Sequence, residues 1–401
     1  MTGDLFLAQP RTGIARRAGL EAALAKFQDL RTADSVVRAL HHEPARAGEF
    51  ADVPAGIQPV LREALAAQGI DRLYSHQAEA FSLVDAGKNV VVVTPTASGK
   101  TLCYNLPVLN RLIEDPDARA MYLFPTKALA EDQLHELQQA IDSTGGGLRA
   151  FTYDGDTPQD ARRAIRERAN IVLTNPDMLH AGILPHHTRW AKLFENLRYI
   201  IIDELHYSRG VYGSHVANVI RRMKRICAFY GCSPQFICSS ATIANPKELA
   251  EALTGEPFSL VDKNGAPSGE KFFVFYNPPY VNRELGIRRS YLQESKRVAL
   301  EFLAHKLQTL VFANNRLATE VLITYLKDAA GNDAESVRGY RGGYLPKERR
   351  EIERRLREAA IRCVVATNAL ELGIDIGSLD AVVMAGYPGT IASTWQRAGR
   401  A

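Results

Sequence analysis

Four valines in succession, Val90–Val93, break the usual alternation of apolar and polar residues, and such a run reads as a strand covered on both faces. Short apolar runs recur at residues 121–124 (MYLF), 148–153, 171–173, 199–202 (YIII) and 235–238 (QFIC). Helical spacing fills the intervals. It is clearest at residues 20–30 (LEAALAKFQDL), at 57–69, where Gly69 closes the helix, and after Pro125-Thr126-Lys127, where the chain is rich in Glu and Gln. The helix after Thr101 (LCYNLPVLNRLI) carries Pro107, which predicts a kink or an early end there. Alternating strands and helices predict an open, mostly parallel sheet, with ligand-binding loops at its carboxyl edge.

The pattern weakens across residues 262–270 (DKNGAPSGE), whose composition suits a linker, and after one strand (FFVFY) a looser stretch covers 277–289. It then restarts. A helix is expected at 294–306, a strand at 309–313, a helix opened by Asn314-Asn315-Arg316, and a glycine-rich loop entering a charged, solvated helix over 340–357. Strands at 363–367 and 381–384 flank a turn at 372–376. The expected class is α/β, in two tandem domains: an accessory extension over residues 1–50, a first domain over 51–265 and a second over 266–401.

Length agrees, since 401 residues exceed what one hydrophobic core usually supports. The 46% hydrophobic and 23% charged content is ordinary for a soluble protein, and a net charge of +4 neither requires nor opposes a nucleic-acid partner. Five cysteines include no C-x-x-C pair, which argues against a zinc site or disulfide frame and for a reducing cytoplasm. No apolar run reaches membrane-spanning length, and the first residues lack the form of an export signal. His41 and His42 stand beside a proline without companion ligands and are expected to be solvated loop residues.

The chemistry concentrates at strand exits. After Val93 come Thr96, Ala97, Ser98 and Gly99, then Lys100 and Thr101 opening a helix. In that order backbone N–H groups can face a triphosphate, Lys100 can pair with its oxygens, and the Thr101 hydroxyl can meet magnesium. The competing reading is an ordinary strand-to-helix turn. Gln77 carries donors and an acceptor that match an adenine edge, or it is a helix-surface amide. Asp203 and Glu204 follow a buried strand, where one carboxylate can hold magnesium and the other can deprotonate water. Thr126, Lys127 and Thr174 suit contacts to a nucleic-acid backbone. Ser239, Ser240 and Thr242 are either a relay from the acidic loop or a helix cap.

The ordered set TPTASGKT, PTKALAEDQ, TNPDML, DELH, SSAT, VFANNR, VVATNALELGID and QRAGR resembles the DExH-box superfamily 2 helicases, from about Leu73 onward. The wording TPTASGKTLCYNLP, with SHQ before it and SSATIANP after, is most similar to the bacterial mitomycin-repair helicases and their Hrq-type relatives, which are DNA helicases. The resemblance implies two RecA-like domains with ATP and Mg2+ in the cleft between them. It implies magnesium on Thr101 and Asp203, Glu204 as general base, adenine on Gln77, and ribose near Gly373 and Asp375. Gln396, Arg397 and Arg400 would act from the second domain, Arg400 as an arginine finger, with His206 coupled to Gln396. Thr126, Lys127, Thr174, Asn314 and Thr367 would track a single strand or partly duplex DNA.

Thr94 departs from the family pattern, which has a small residue there, and is expected to be tolerated because its backbone faces the phosphates. The family motif continues as QRAGRAGR and the relatives carry a later cysteine-rich zinc domain, so a longer protein is expected. Three functions follow: a repair-type DNA helicase or translocase, a nucleotide and nucleic-acid binding module with feeble hydrolysis, and an RNA-directed DExH enzyme.

Overall fold

The computed structural model describes residues 13–33, 36–96, 98–371, 376 and 379–401, with backbone alone at 13–15, 28–33, 332–333 and 346. Two compact units are present. One is Arg46–Ser268, and the other joins Gly269–Ala401 to the described part of the first 45 residues.

The Arg46–Ser268 unit is built on seven strands: β1 (Val90–Val93), β2 (Arg119–Leu123), β3 (Ala150–Thr152), β4 (Ile171–Thr174), β5 (Leu197–Ile202), β6 (Gln235–Ser240) and β7 (Ser259–Val261). Their order is β7-β1-β6-β5-β2-β4-β3, and every pairing is parallel. The valine run behaves as its composition requires. Val90 and Val92 enter one apolar cluster while Val91 and Val93 enter another, because successive side chains leave opposite faces of a sheet that helices cover on both sides. The helices include α1 (Ser75–Asp85), α2 (Lys100–Glu114), α3 (Lys127–Ser143) and α4 (Gly210–Phe229).

Helix α2 does not end at Pro107. A proline inside a helix costs about 3 kcal/mol or more. Here Leu106, Val108, Leu109 and Leu112 are all buried, and each contributes about 1.5 to 3 kcal/mol by leaving water. Core packing therefore overrides the local penalty. Ser239 and Ser240 also differ from expectation, since they form the last two residues of β6 rather than a loop after it.

In the second unit a parallel four-stranded sheet is ordered β9-β10-β8-β11, with β8 (Thr309–Ala313), β9 (Val337–Tyr340), β10 (Cys363–Ala366) and β11 (Ala381–Ala385). Strand β9 is not evident from its sequence (VRGY). Helix α5 (Arg316–Ala330) starts where Asn315 Oδ1 accepts the Ala318 N–H at 2.8 Å, and α6 (Ile391–Ala398) where Thr390 Oγ1 accepts the Ser393 N–H at 3.1 Å.

The N-terminal stretch belongs with this unit: the strand Val37–Glu43 pairs antiparallel with Lys271–Tyr276, beside the helix Gly13–Ala33. His41 and His42 are thus strand residues and not loop residues. His42 lies 2.8 Å from the Glu270 carboxylate and stacks on Phe272 at 4.5 Å. The stretch read as loose, 277–289, contains a small hairpin, Tyr280–Asn282 with Ile287–Arg288. The expected turn at 372–376 lies outside the described residues except for Ile376.

Candidate nucleotide and nucleic-acid sites

Strand β1 delivers a tight loop to the start of α2. Gly99 has φ +76, in the left-handed region, and a Cβ there would stand 2.5 Å from Gln77 Nε2. Glycine is needed for both conformation and space. Gln77 Nε2 donates to the Gly99 carbonyl at 3.1 Å, while Gln77 Oε1 accepts the Tyr74 N–H at 3.0 Å. The neighbouring His76 ring reaches the Ser98 carbonyl at 3.0 Å. Two consecutive side chains of α1 therefore hold two consecutive carbonyls of the loop.

Thr94 is fully buried, and its hydroxyl meets Ser98 Oγ at 2.6 Å, so it braces the loop from within. Lys100 Nζ donates to the carbonyls of Thr94 at 2.8 Å and Pro95 at 3.3 Å, so its charge is held by the loop. The Thr101 hydroxyl is directed to Gln133 Oε1 at 3.4 Å. Thr96 is a half-buried turn residue of the loop, and Ala97 lies outside the described residues.

The acid pair sits two strands away, after β5, with β6 between it and β1. Ser239 Oγ on β6 donates to Asp203 Oδ1, and the Glu204 N–H donates to the same oxygen at 2.9 Å. Burial and the adjacent Glu204 push the Asp203 carboxyl up to about 6, against the pull of Ser239 and Lys100. Glu204 adopts φ +51, uncommon for a residue with a side chain, which turns the chain sharply after Asp203. His206 is buried, and its Nδ1 accepts the Ala241 N–H at 3.3 Å and lies 3.4 Å from Glu204 Oε2. Accepting from Ala241 selects the neutral tautomer protonated on Nε2. The structure brings Ser239 into this cluster but leaves Thr242 exposed beyond it.

The expected backbone contacts divide. Thr126 Oγ1 caps α3 by accepting the Leu129 N–H at 3.3 Å, and Lys127 pairs with Asp156 at 2.9 Å in an exposed position. Thr174 must be corrected. It is buried, and its hydroxyl donates to the Tyr153 carbonyl at 2.6 Å, so it fastens the end of β4 rather than facing a strand.

In the second unit Asn314 Nδ2 is exposed and 3.4 Å from the Tyr387 carbonyl, and Thr367 follows β10 half-buried. Gln396 and Arg397 are buried on α6. Arg397 Nε donates to Glu371 Oε2 at 3.0 Å, and Arg400 Nη2 to the Glu371 carbonyl at 3.1 Å. Gly373 and Asp375 lie outside the described residues. Sequence reasoning did not single out Glu371, Gln133 or His76. All three lie within quoted motifs, yet a partner to a buried arginine or hydroxyl leaves no signature in spacing.

Two parallel α/β units, one with a Gly-Lys-Thr loop and a half-buried acid pair at the same sheet edge, define a tandem RecA-like nucleotide-binding architecture. Residues 74–249 match the family described as DEAD/DEAH box helicase, and residues 292–401 match the helicase conserved C-terminal domain. The chain belongs to the superfamily 2 helicases of the DEAD/DEAH box family.

The ATP-dependent helicase YprA of Bacillus subtilis is 59% identical over 377 residues, which are 94% of this chain and 50% of that protein. The ATP-dependent helicase hrq1 of Schizosaccharomyces pombe is 38% identical over 378 residues, 91% of this chain and 36% of its own length. A crystal structure of the helicase MrfA bound to DNA and AMPPNP superposes with a TM-score of 0.89 at 57% identity, covering 94% of this chain and 53% of that one. The chain therefore spans about half the length of these relatives, or less.

Proposed function

We propose that this chain is the motor of an ATP-dependent DNA helicase or translocase, of the repair type, that couples ATP hydrolysis to movement along single-stranded DNA. The observation that carries the reading is the pairing of the Lys100 loop with the half-buried Asp203–Glu204 pair across β1, β6 and β5. A kinase-like phosphate loop alone would leave the Gln396–Arg400 segment without a role. The DNA and AMPPNP in the MrfA structure support both ligands.

ATP phosphates are proposed to lie against the backbone of Thr96, Ala97, Ser98 and Gly99. Lys100 would then exchange the Thr94 and Pro95 carbonyls for phosphate oxygens. Gln77 retains a second amide hydrogen and a second lone pair for adenine. Gly373 and Asp375 are assigned to the ribose.

The donor set suits magnesium, which takes hard oxygen ligands, and a carboxylate whose pKa is raised by desolvation gains from a cation. Thr101 and Asp203 would hold it, and the ion would neutralise phosphate charge. Glu204 is assigned to take the proton of the attacking water, and His206, whose Nδ1 accepts the Ala241 N–H, is assigned to couple the acidic loop to Gln396. Arg397 and Arg400 are assigned to the transferred phosphoryl group.

Thr126, Lys127, Asn314 and Thr367 are proposed to grip the DNA backbone. Displacing Asp156 from Lys127 costs little, because exposed ion pairs are weak. Such contacts give slight sequence preference and steep salt dependence. We place the protein in the cytoplasm, with a zinc-binding domain in the whole protein. ATPase rates with single-stranded DNA against RNA, on this chain and on a version extended past Ala401, test the assignment. Stimulation by DNA supports it, and absence of stimulation by either polymer rejects it.

A further inference from the structure

Thr101 and Tyr104 lie one turn apart on α2, and their hydroxyls converge on a single acceptor, Gln133 Oε1 on α3, at 3.4 and 2.9 Å. Tyr104 and Gln133 are buried. On the other side of the amide, Nε2 donates to Glu136 Oε2 at 3.4 Å. Two donors on one side and an acceptor on the other fix which way the amide faces.

A threonine hydroxyl has one proton and two lone pairs, and only the lone pairs can ligate a cation. We propose that Gln133 is a positioning residue for the magnesium site: by taking the Thr101 proton it turns the Thr101 oxygen toward the ion. This rests on the function proposed above. Gln133 belongs to the same helix that begins at Thr126 and Lys127, six residues after that lysine. A strand that binds at the start of α3 therefore acts on the helix that carries the acceptor. Neither ligand of the nucleotide site need be touched for the metal's oxygen donor to be tuned.

The test titrates magnesium against the affinity for a fluorescent ATP analogue, with an EDTA arm and thermal midpoints, in the unaltered chain and in Gln133→Leu, Gln133→Glu and Tyr104→Phe. Gln133→Leu removes the acceptor and is expected to raise the magnesium needed for half-maximal binding about tenfold, with affinity in EDTA within about twofold. Gln133→Glu keeps an acceptor oxygen and should need no more magnesium than the unaltered chain. Tyr104→Phe removes the competing donor and leaves Thr101 served, so its requirement should not rise.

An unmoved titration in Gln133→Leu overturns the proposal. So does an equal loss with and without magnesium, which marks a packing role, or a rise in Gln133→Glu or Tyr104→Phe like that in Gln133→Leu. Failure of the unaltered chain to bind the analogue at all rejects the nucleotide reading itself, a result distinct from normal binding with an unmoved titration.

Discussion

Arg397 donates from Nε to the Glu371 carboxylate at 3.0 Å, with the two side chains only 6% and 14% exposed. The Arg397 guanidinium also stands 5.0 Å from the Phe312 ring centre. Removing one member of a buried pair leaves the other charge uncompensated, at a cost of about 3 to 5 kcal/mol. Glu371→Ala is expected to destabilise the second unit by about 3 kcal/mol in urea melts, near the low end of that range. It should also lower DNA-stimulated hydrolysis, because Arg397 is then no longer held. A loss under about 1 kcal/mol, the range of exposed pairs, would show that the pair adds little.

Gly99 and Gln77 are coupled by space as well as by a hydrogen bond. In Gly99→Ala the new methyl meets Gln77 Nε2 at 2.5 Å on a backbone with φ +76. Conformational strain alone costs about 1 to 2 kcal/mol. Gln77→Ala in the same chain should recover the steric part and leave the strain. A double-mutant cycle in thermal or urea unfolding should therefore show coupling of about 1 kcal/mol. Strict additivity would mean that the loop shifts away from Gln77 at no cost.

Asp203 makes stability depend on pH in a direction opposite to that of most carboxylates. Its folded pKa of about 6 lies above the unfolded value, so the native state binds more protons between roughly pH 4 and 6. Stability from this group falls as pH rises through that window and stays low above it. Without metal and nucleotide at pH 7, Asp203→Asn should stabilise the first unit by about 1 to 3 kcal/mol. The gain should vanish below about pH 4, and hydrolysis should be lost. An unchanged or lower stability at pH 7 would contradict the cause assigned to the shift.

Much of the framework was legible because buried parallel strands need no alternation: Val90–Val93 and the isoleucines of β5 declare themselves by composition. Helix starts at Lys127 and Arg316 were legible from Thr126 and Asn315. What escaped was decided at long range. Helix α2 continues through Pro107 because the core on either side of it outweighs one lost hydrogen bond. The strand holding His41 and His42 exists only because Lys271–Tyr276, more than two hundred residues later, supplies its partner. Thr174 looked available until Tyr153 claimed its hydroxyl. The acid pair was legible, but the raised pKa of Asp203 required knowing that its carboxyl loses water in the fold while Glu204 stays beside it.

Nucleotide-dependent grip on DNA is most directly read by the affinity for a fluorescent single strand, measured with a non-hydrolysable ATP analogue, with ADP and with no nucleotide. The expected result is a difference of about tenfold between the ATP-analogue and ADP states, which corresponds to about 1.4 kcal/mol of coupling. Lys100→Ala should abolish that difference. Equal affinity in all three states, or a difference that survives Lys100→Ala, would contradict it.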